Sequence, residues 1–331
     1  MNLARTGEFG MIDRIADIAG IHPAKAVLGI GDDAALFETK PGLYTILTTD
    51  AMVEGVHFDL SYTPFDALGW KAIAASISDV AAMGGIPDYV IIAMGVPAHW
   101  QMHDIEHLYK GMVSCCGTYE CEIVGGDTVR SVSKGFLAVS VVGQVKKEDS
   151  KKRSGAASGD MLCVSGHLGG ARTGLEILQT GADRQKYANA IEKFLHPKPR
   201  VDIVMALSGK RGITSMIDIS DGLGSEIHHL CARSGLGCVI HETAIPVDTD
   251  AEAWCQSKQV ETAQFVFESG EEFELLFTLD SRIYKNELKQ VFQQLNIHVI
   301  GEMSEKETGP RIQSGKKTIP LQFHGWDHFK K

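Results

Sequence analysis

Aspartates stand at five places where apolar runs end or glycines turn the chain. These are Gly31-Asp32-Asp33, Thr48-Thr49-Asp50, Ser78-Asp79, Gly125-Gly126-Asp127-Thr128 and Asp218-Ile219-Ser220-Asp221-Gly222. Two carboxylates ~5 Å apart repel by roughly 3 kcal/mol at an effective dielectric near 20. If folding gathers several of them, the site needs cations. Oxygen-only donor sets with room for water suit Mg²⁺, which commonly shares its shell with substrate phosphates. The chemistry to expect is magnesium-dependent handling of phosphate.

Each segment also has a plainer use. Gly29-Ile30-Gly31-Asp32-Asp33-Ala34 fits the loose Gly-x-Gly-x-x-Ala dinucleotide pattern, but two aspartates at the turn would repel a pyrophosphate unless metal intervened. Strand alternation at 48–50 points Thr48 and Asp50 the same way, a hydroxyl and a carboxylate as phosphate enzymes use them for Mg²⁺. Asp79 ends an apolar helical stretch, where its charge opposes the helix dipole and calls for a cation or a lysine. Gly125-Gly126 before Asp127 is either a close-approach loop for phosphate or a bare glycine turn. Asp221 serves equally as N-cap of a helix from 222, whereas Asp218 interrupts an apolar run with no such excuse. The chain has no Gly-x-x-x-x-Gly-Lys-Ser/Thr loop and no protein-kinase catalytic loop, so P-loop and protein-kinase classes are excluded.

The elements that must position these groups alternate. Strands are expected over 43–49, 89–96, 121–124 and 136–145, with helices over 65–83 and 103–118. A polar run at 146–159 marks the domain boundary, giving units 1–148 and 149–331. Beyond it, strands are expected at 161–165, 215–219, 236–241, 273–279 and 297–300. Helices are expected at 171–178, 200–207, 222–234 and 284–295. A chain of 331 residues exceeds the usual limit of one core, so two domains are the default and a ligand cleft between them is expected. The net charge of −10 disfavours nucleic acid and anionic membrane as partners. Seven cysteines without a Cys-x-x-Cys spacing read as reduced, buried thiols. With no run of 18 apolar residues and no basic, apolar leader, a soluble cytoplasmic protein is expected.

Taken in order, the segments resemble the thiamine-monophosphate kinase family of the aminoimidazole-ribonucleotide-synthetase-like superfamily. The likeness runs from Gly7-Glu8-Phe9 to Gly325-Trp326-Asp327-His328-Phe329. It is carried by Gly-Asp-Asp-Ala-Ala (31–35), Thr-Thr-Asp (48–50), Val-Glu-Gly-Val-His-Phe (53–58) and Leu-Gly-Trp-Lys-Ala (68–72). Ser-Asp-Val-Ala-Ala-Met-Gly (78–84), Gly-Gly-Asp-Thr (125–128) and Ile-Asp-Ile-Ser-Asp-Gly-Leu (217–223) complete it.

The resemblance implies an α/β (α+β) fold of two domains, the N-terminal one supplying the sheet of a homodimer. It implies ATP-dependent conversion of thiamine monophosphate to thiamine diphosphate by direct in-line transfer with several Mg²⁺ ions. Metal ligands would be Asp33, Thr48, Thr49, Asp50, Asp79, Asp127, Asp218 and Asp221, with Asp50, Asp127 and Asp221 central to catalysis. ATP would meet Tyr109, Gly126, Arg153 and Ser220, and the acceptor His57, Glu271 and Trp326. The family usually shows Gly-Gly-Glu-Asp-Tyr-Glu where this chain has Ser269-Gly270-Glu271-Glu272-Phe273-Glu274, which removes a glycine's freedom and a hydroxyl. The alternatives are another ATP-using synthetase of the superfamily, of which the selenophosphate synthetases are disfavoured because no cysteine precedes Cys115, or a non-catalytic magnesium–nucleotide module.

Overall fold

A computed structural model describes residues 3–19, 26–284, 288–322 and 325–326. After helix α1 (Leu3–Ala19), the first half carries β1 (Ala35–Lys40), β2 (Leu43–Val53), α2 (Phe65–Ala82), β3 (Ile86–Pro97), α3 (Met102–Thr118), β4 (Glu122–Ser131) and β5 (Phe136–Lys146). The strands form one sheet in the order β1-β2-β5-β3-β4, antiparallel except for the β3–β4 pair. One face is covered. Fourteen of the eighteen residues of α2 are buried, so this alanine-rich helix is enclosed rather than striped. Its contact with α3 is made by glycines: a Cβ on Gly69 would lie 2.0 Å from the Leu108 carbonyl oxygen, and one on Gly111 1.8 Å from that of Asp66.

The second half holds β6 (Met161–Ser165), α4 (Gly170–Thr180), α5 (Ala188–Leu195), α6 (Val201–Leu207), β7 (Ile213–Asp218), α7 (Leu223–Ser234), β8 (Gly237–His241), α8 (Thr249–Lys258) and α9 (Thr262–Phe267). It ends with β9 (Leu275–Leu279), α10 (Ser281–Ile283), α11 (Lys289–Gln294), β10 (Ile297–Ser304), β11 (Pro310–Ser314) and β12 (Lys317–Pro320). Its seven strands lie in the order β12-β11-β8-β10-β6-β9-β7, mostly antiparallel. The halves are packed together. One buried cluster runs from Ile46, Ile73 and Val139 of the first into Phe273, Phe277 and Phe292 of the second.

Three expectations change. The strand expected at 121–124 continues to Ser131, so Gly125-Gly126-Asp127-Thr128 is strand, not loop. The glycine is needed for packing, since a Cβ on Gly126 would lie 2.0 Å from the Ile92 carbonyl oxygen. Helix α7 is capped by Gly222 at φ 125° rather than by Asp221. The strand expected at 273–279 begins only at Leu275, because Glu271 and Phe273 are left-handed at φ 59° and 50°. Helix 284–295 falls partly outside the described residues.

Candidate active site

The last turn of α2, the middle of β2, the turn before β1 and the end of β7 meet at the junction of the halves. Carboxylate oxygens of Asp33, Asp79 and Asp218 there lie within 4.8 Å of one another. Thr48 donates its hydroxyl to Asp79 Oδ2 at 2.5 Å, and Ser78 donates to Asp218 Oδ2 at 2.6 Å. As alternation requires, Thr48 is buried and Thr49 faces the opposite side. Burial raises the Asp79 carboxyl well above its ordinary range, and Asp50, Asp218 and Asp33 add to the rise. Asp218, only 2% exposed, is pushed up to about 8 by burial and by Asp33. Burial also raises Asp50, with a hydrogen bond from Ser76 opposing it.

One cation is already present. Arg153, from the stretch joining the halves, donates to Asp33 Oδ1 through Nη2 at 2.5 Å and Nε at 3.1 Å. Its backbone N–H donates to Asp32, whose carboxyl burial and Asp33 together lift to about 6. The other oxygen of Asp33 is buried with no hydrogen-bond partner. A single guanidinium cannot balance four gathered carboxylates. Hydroxyl and carboxylate oxygens, one of them orphaned, are a donor set that fits Mg²⁺.

These residues line a cleft of about 1540 Å³. Ser220, Asp221, His57, Glu271 and Trp326 line it as well. His57 is held by the Val53 N–H, which donates to Nδ1 at 3.0 Å and so leaves the proton of the neutral ring on Nε2. Trp326 is 58% exposed, and its backbone N–H donates to the Asp221 carbonyl oxygen at 3.0 Å. Phe329 lies outside the described residues. Ser269 is buried and donates to Glu272 Oε1 at 2.6 Å. The left-handed positions are 271 and 273, so the missing glycine freedom falls where the backbone does not use it. Phe273 is 5% exposed and packs in the shared core.

Other expected site residues stand apart. Tyr109 on α3 is partly buried against the first core and does not line the cleft. Gly126 and Asp127 lie on edge strand β4, also outside it. By register Asp127 shares a row with Ala93, Ala138 and Ala51 on the sheet's uncovered face. Thr49 lies on that face too, accepting from Ser140 Oγ at 3.0 Å, though it reaches the cleft.

Two neighbours were not singled out by sequence. Glu226 on α7, 2% exposed, accepts the Asp221 N–H at 3.0 Å. Burial raises its carboxyl, with Asp221 and Asp218 adding. Lys71 on α2 is 1% exposed and bonds Glu271. Its signal was available: a lysine three residues after Leu68 stands inside the apolar run of its helix.

Comparison with known proteins shows the family. The chain matches the AIR synthase related protein N-terminal domain over residues 31–145 and the corresponding C-terminal domain over 157–312. It is 34% identical to a thiamine-monophosphate kinase of Bacillus subtilis, covering 98% of this chain and 99% of that one. It is 35% identical to one of Aquifex aeolicus, covering 99% and 100%. Among solved structures, AaThiL complexed with AMPPCP and TMP superposes with a TM-score of 0.88 at 32% identity, covering 99% of both chains.

Proposed function

Because the chain belongs to the thiamine-monophosphate kinases of the AIR synthase related family, we infer that it transfers the γ-phosphoryl group of ATP to thiamine monophosphate, giving ADP and thiamine diphosphate. The observation that carries the site reading is the convergence of Asp33, Asp79 and Asp218, from three separate elements, in the cleft that also exposes Trp326.

The acceptor is a phosphate monoester with a second pKa near 6, so at neutral pH its attacking oxygen is mostly deprotonated. No strong base is required. That oxygen bonds to the γ-phosphorus as the bond to the bridging oxygen breaks, and the electron pair leaves with ADP. The task left to the protein is to bring two polyanions together and hold them in line. Asp33, Thr48, Asp50, Asp79, Asp218 and Asp221 would hold Mg²⁺, which when bound would supply positive charge against that of the phosphates. Arg153, now on Asp33, would contribute a guanidinium to the nucleotide phosphates, with Ser220 beside it. His57, Glu271 and Trp326 would receive the acceptor. Stacking of the thiazolium on Trp326 is worth roughly 0.5–2 kcal/mol.

Asp127 and Thr49 lie on a different surface, Thr49 also reaching the cleft, and Gly126 precedes Asp127 on edge strand β4. Leu47, Val53, Tyr89, Ile91 and Val129 are between 36% and 48% exposed on that face of the first sheet. A contiguous apolar face beside edge strand β4 suits a second copy of the chain, and we propose a homodimer built on it. Asp127 would then act at a site completed by the partner. Residues 1–148 and 149–331 are proposed as the two domains. No described helix is long and apolar enough to cross a membrane.

The test is ADP release with ATP and a panel of acceptors. Thiamine monophosphate should support turnover and unphosphorylated thiamine should not. Equal turnover with both would reject an attacking phosphate oxygen.

A further inference from the structure

Among the described residues the bulkiest fully buried side chain is a lysine. Lys71 sits on α2 between alanines, isoleucines and serines, its side chain 2% exposed. Removing an ammonium from water costs several kcal/mol, and burial pulls its pKa down while Glu271 pushes it back. A methionine or leucine would fill the same volume without that cost. Lys71 has two close partners. Its Nζ donates to Glu271 Oε2 at 2.7 Å and stands 3.7 Å from the centroid of the Phe194 ring.

Glu271 comes from the other half of the chain and is unusual on its own account. Its backbone is left-handed at φ 59°, a conformation costly for a residue with a side chain. The turn is tied to the aspartate segment, with the Glu271 N–H on the Ser220 carbonyl oxygen at 2.7 Å and the Phe273 N–H on that of Ile219 at 2.9 Å. The side chain is 30% exposed and lines the cleft. A fully desolvated cation is thus bound to one oxygen of a carboxylate whose remaining surface faces the ligand space.

We propose that Lys71 is a positioning residue for the acceptor substrate: by engaging Oε2 it fixes the Glu271 carboxylate across the two halves and presents Oε1 to a cationic or N–H-bearing part of the acceptor. This deepens the reading of Glu271 as an acceptor-side residue and rests on it. Phe194 orients the ammonium from below. Substitution of Lys71 is felt at the acceptor and not at the nucleotide.

The test is a double-mutant cycle of K71M, E271Q and K71M/E271Q, with KM measured separately for thiamine monophosphate and ATP. Methionine matches the lysine stem over Phe194, and the partly exposed Glu271 can be hydrated once the ammonium is gone, so K71M should fold. K71L, likewise without a donor, is read by the same criteria should it not. Each single variant should raise KM for thiamine monophosphate on the order of tenfold, about 1.4 kcal/mol, with KM for ATP within about twofold of wild type. The double variant should be no worse than either single one. Single effects that multiply in the double variant, an unchanged acceptor KM in the Lys71 variant, or an equal rise for ATP would each overturn the proposal. Wild-type protein that releases no ADP with thiamine monophosphate would instead sink the kinase reading itself.

Discussion

Asp218 is held where a carboxylate is least welcome, 2% exposed and beside other carboxylates. That cost has a consequence for stability as well as for turnover. Asp218→Asn should lower kcat by about 10²-fold or more. In metal-free buffer the same variant should melt at a higher temperature than wild type, because one of several like charges is gone. A kinetic assay and a thermal melt in EDTA check both; a lower melting temperature would mean that the carboxylates are not in mutual repulsion. Trp326→Ala should raise KM for thiamine monophosphate several-fold with little change for ATP, as its 58% exposure at the cleft suggests. Asp33, Asp79 and Asp218 were legible in the sequence because they stand at a glycine turn, at the end of an apolar helix and inside an apolar run, where a charge needs a reason. Lys71 gave a similar signal from inside an apolar run, but its role did not show there, because its partner is a carboxylate 200 residues away.

At the scale of elements, Glu272 ties the substrate-side loop to the start of α4. Its Oε1 accepts from the Gly169 N–H at 2.7 Å, the Ala171 N–H at 3.2 Å and Ser269 Oγ at 2.6 Å. Burial nevertheless pushes its carboxyl up to about 7, outweighing Lys193 and the Ser269 and Gly169 donors. A folded-state pKa above the ordinary glutamate value of 4.5 means its contribution to stability is full below about pH 4.5 and is lost as pH rises through about 7. Replacing it with glutamine should shrink the fall in melting temperature between about pH 5 and pH 8; an unchanged slope would place the titration elsewhere. The α2–α3 contact makes a second prediction. Gly111→Ala puts a methyl group against backbone and should cost about 1–3 kcal/mol in denaturant unfolding. Helix α2 was readable from its alanines and β2 from its alternation, because periodicity reports burial locally. The length of β4 was hidden by Gly125-Gly126, of which Gly126 lets β3 approach, a fact of the neighbouring strand and not of the segment.

Over the whole molecule, two sheets joined by a common core create the cleft, and the uncovered face of the first sheet supplies a place for a second copy. Ile91→Lys with Val129→Lys should convert a dimer to monomers in sedimentation analysis, since both residues are 46% exposed on that face. Unchanged mass would relocate the interface. The gathering of the aspartates in space could be anticipated from motif order, while the separation of Asp127 from them depends on sheet order β1-β2-β5-β3-β4, which no local pattern encodes. The most direct measurement of the central claim follows the label from [γ-³²P]ATP. With Mg²⁺ and thiamine monophosphate present, radioactivity should appear in thiamine diphosphate in a one-to-one ratio with ADP, and chelation or Asp50→Asn should stop both. ADP formed without labelled thiamine diphosphate, or transfer undiminished in EDTA, would contradict it.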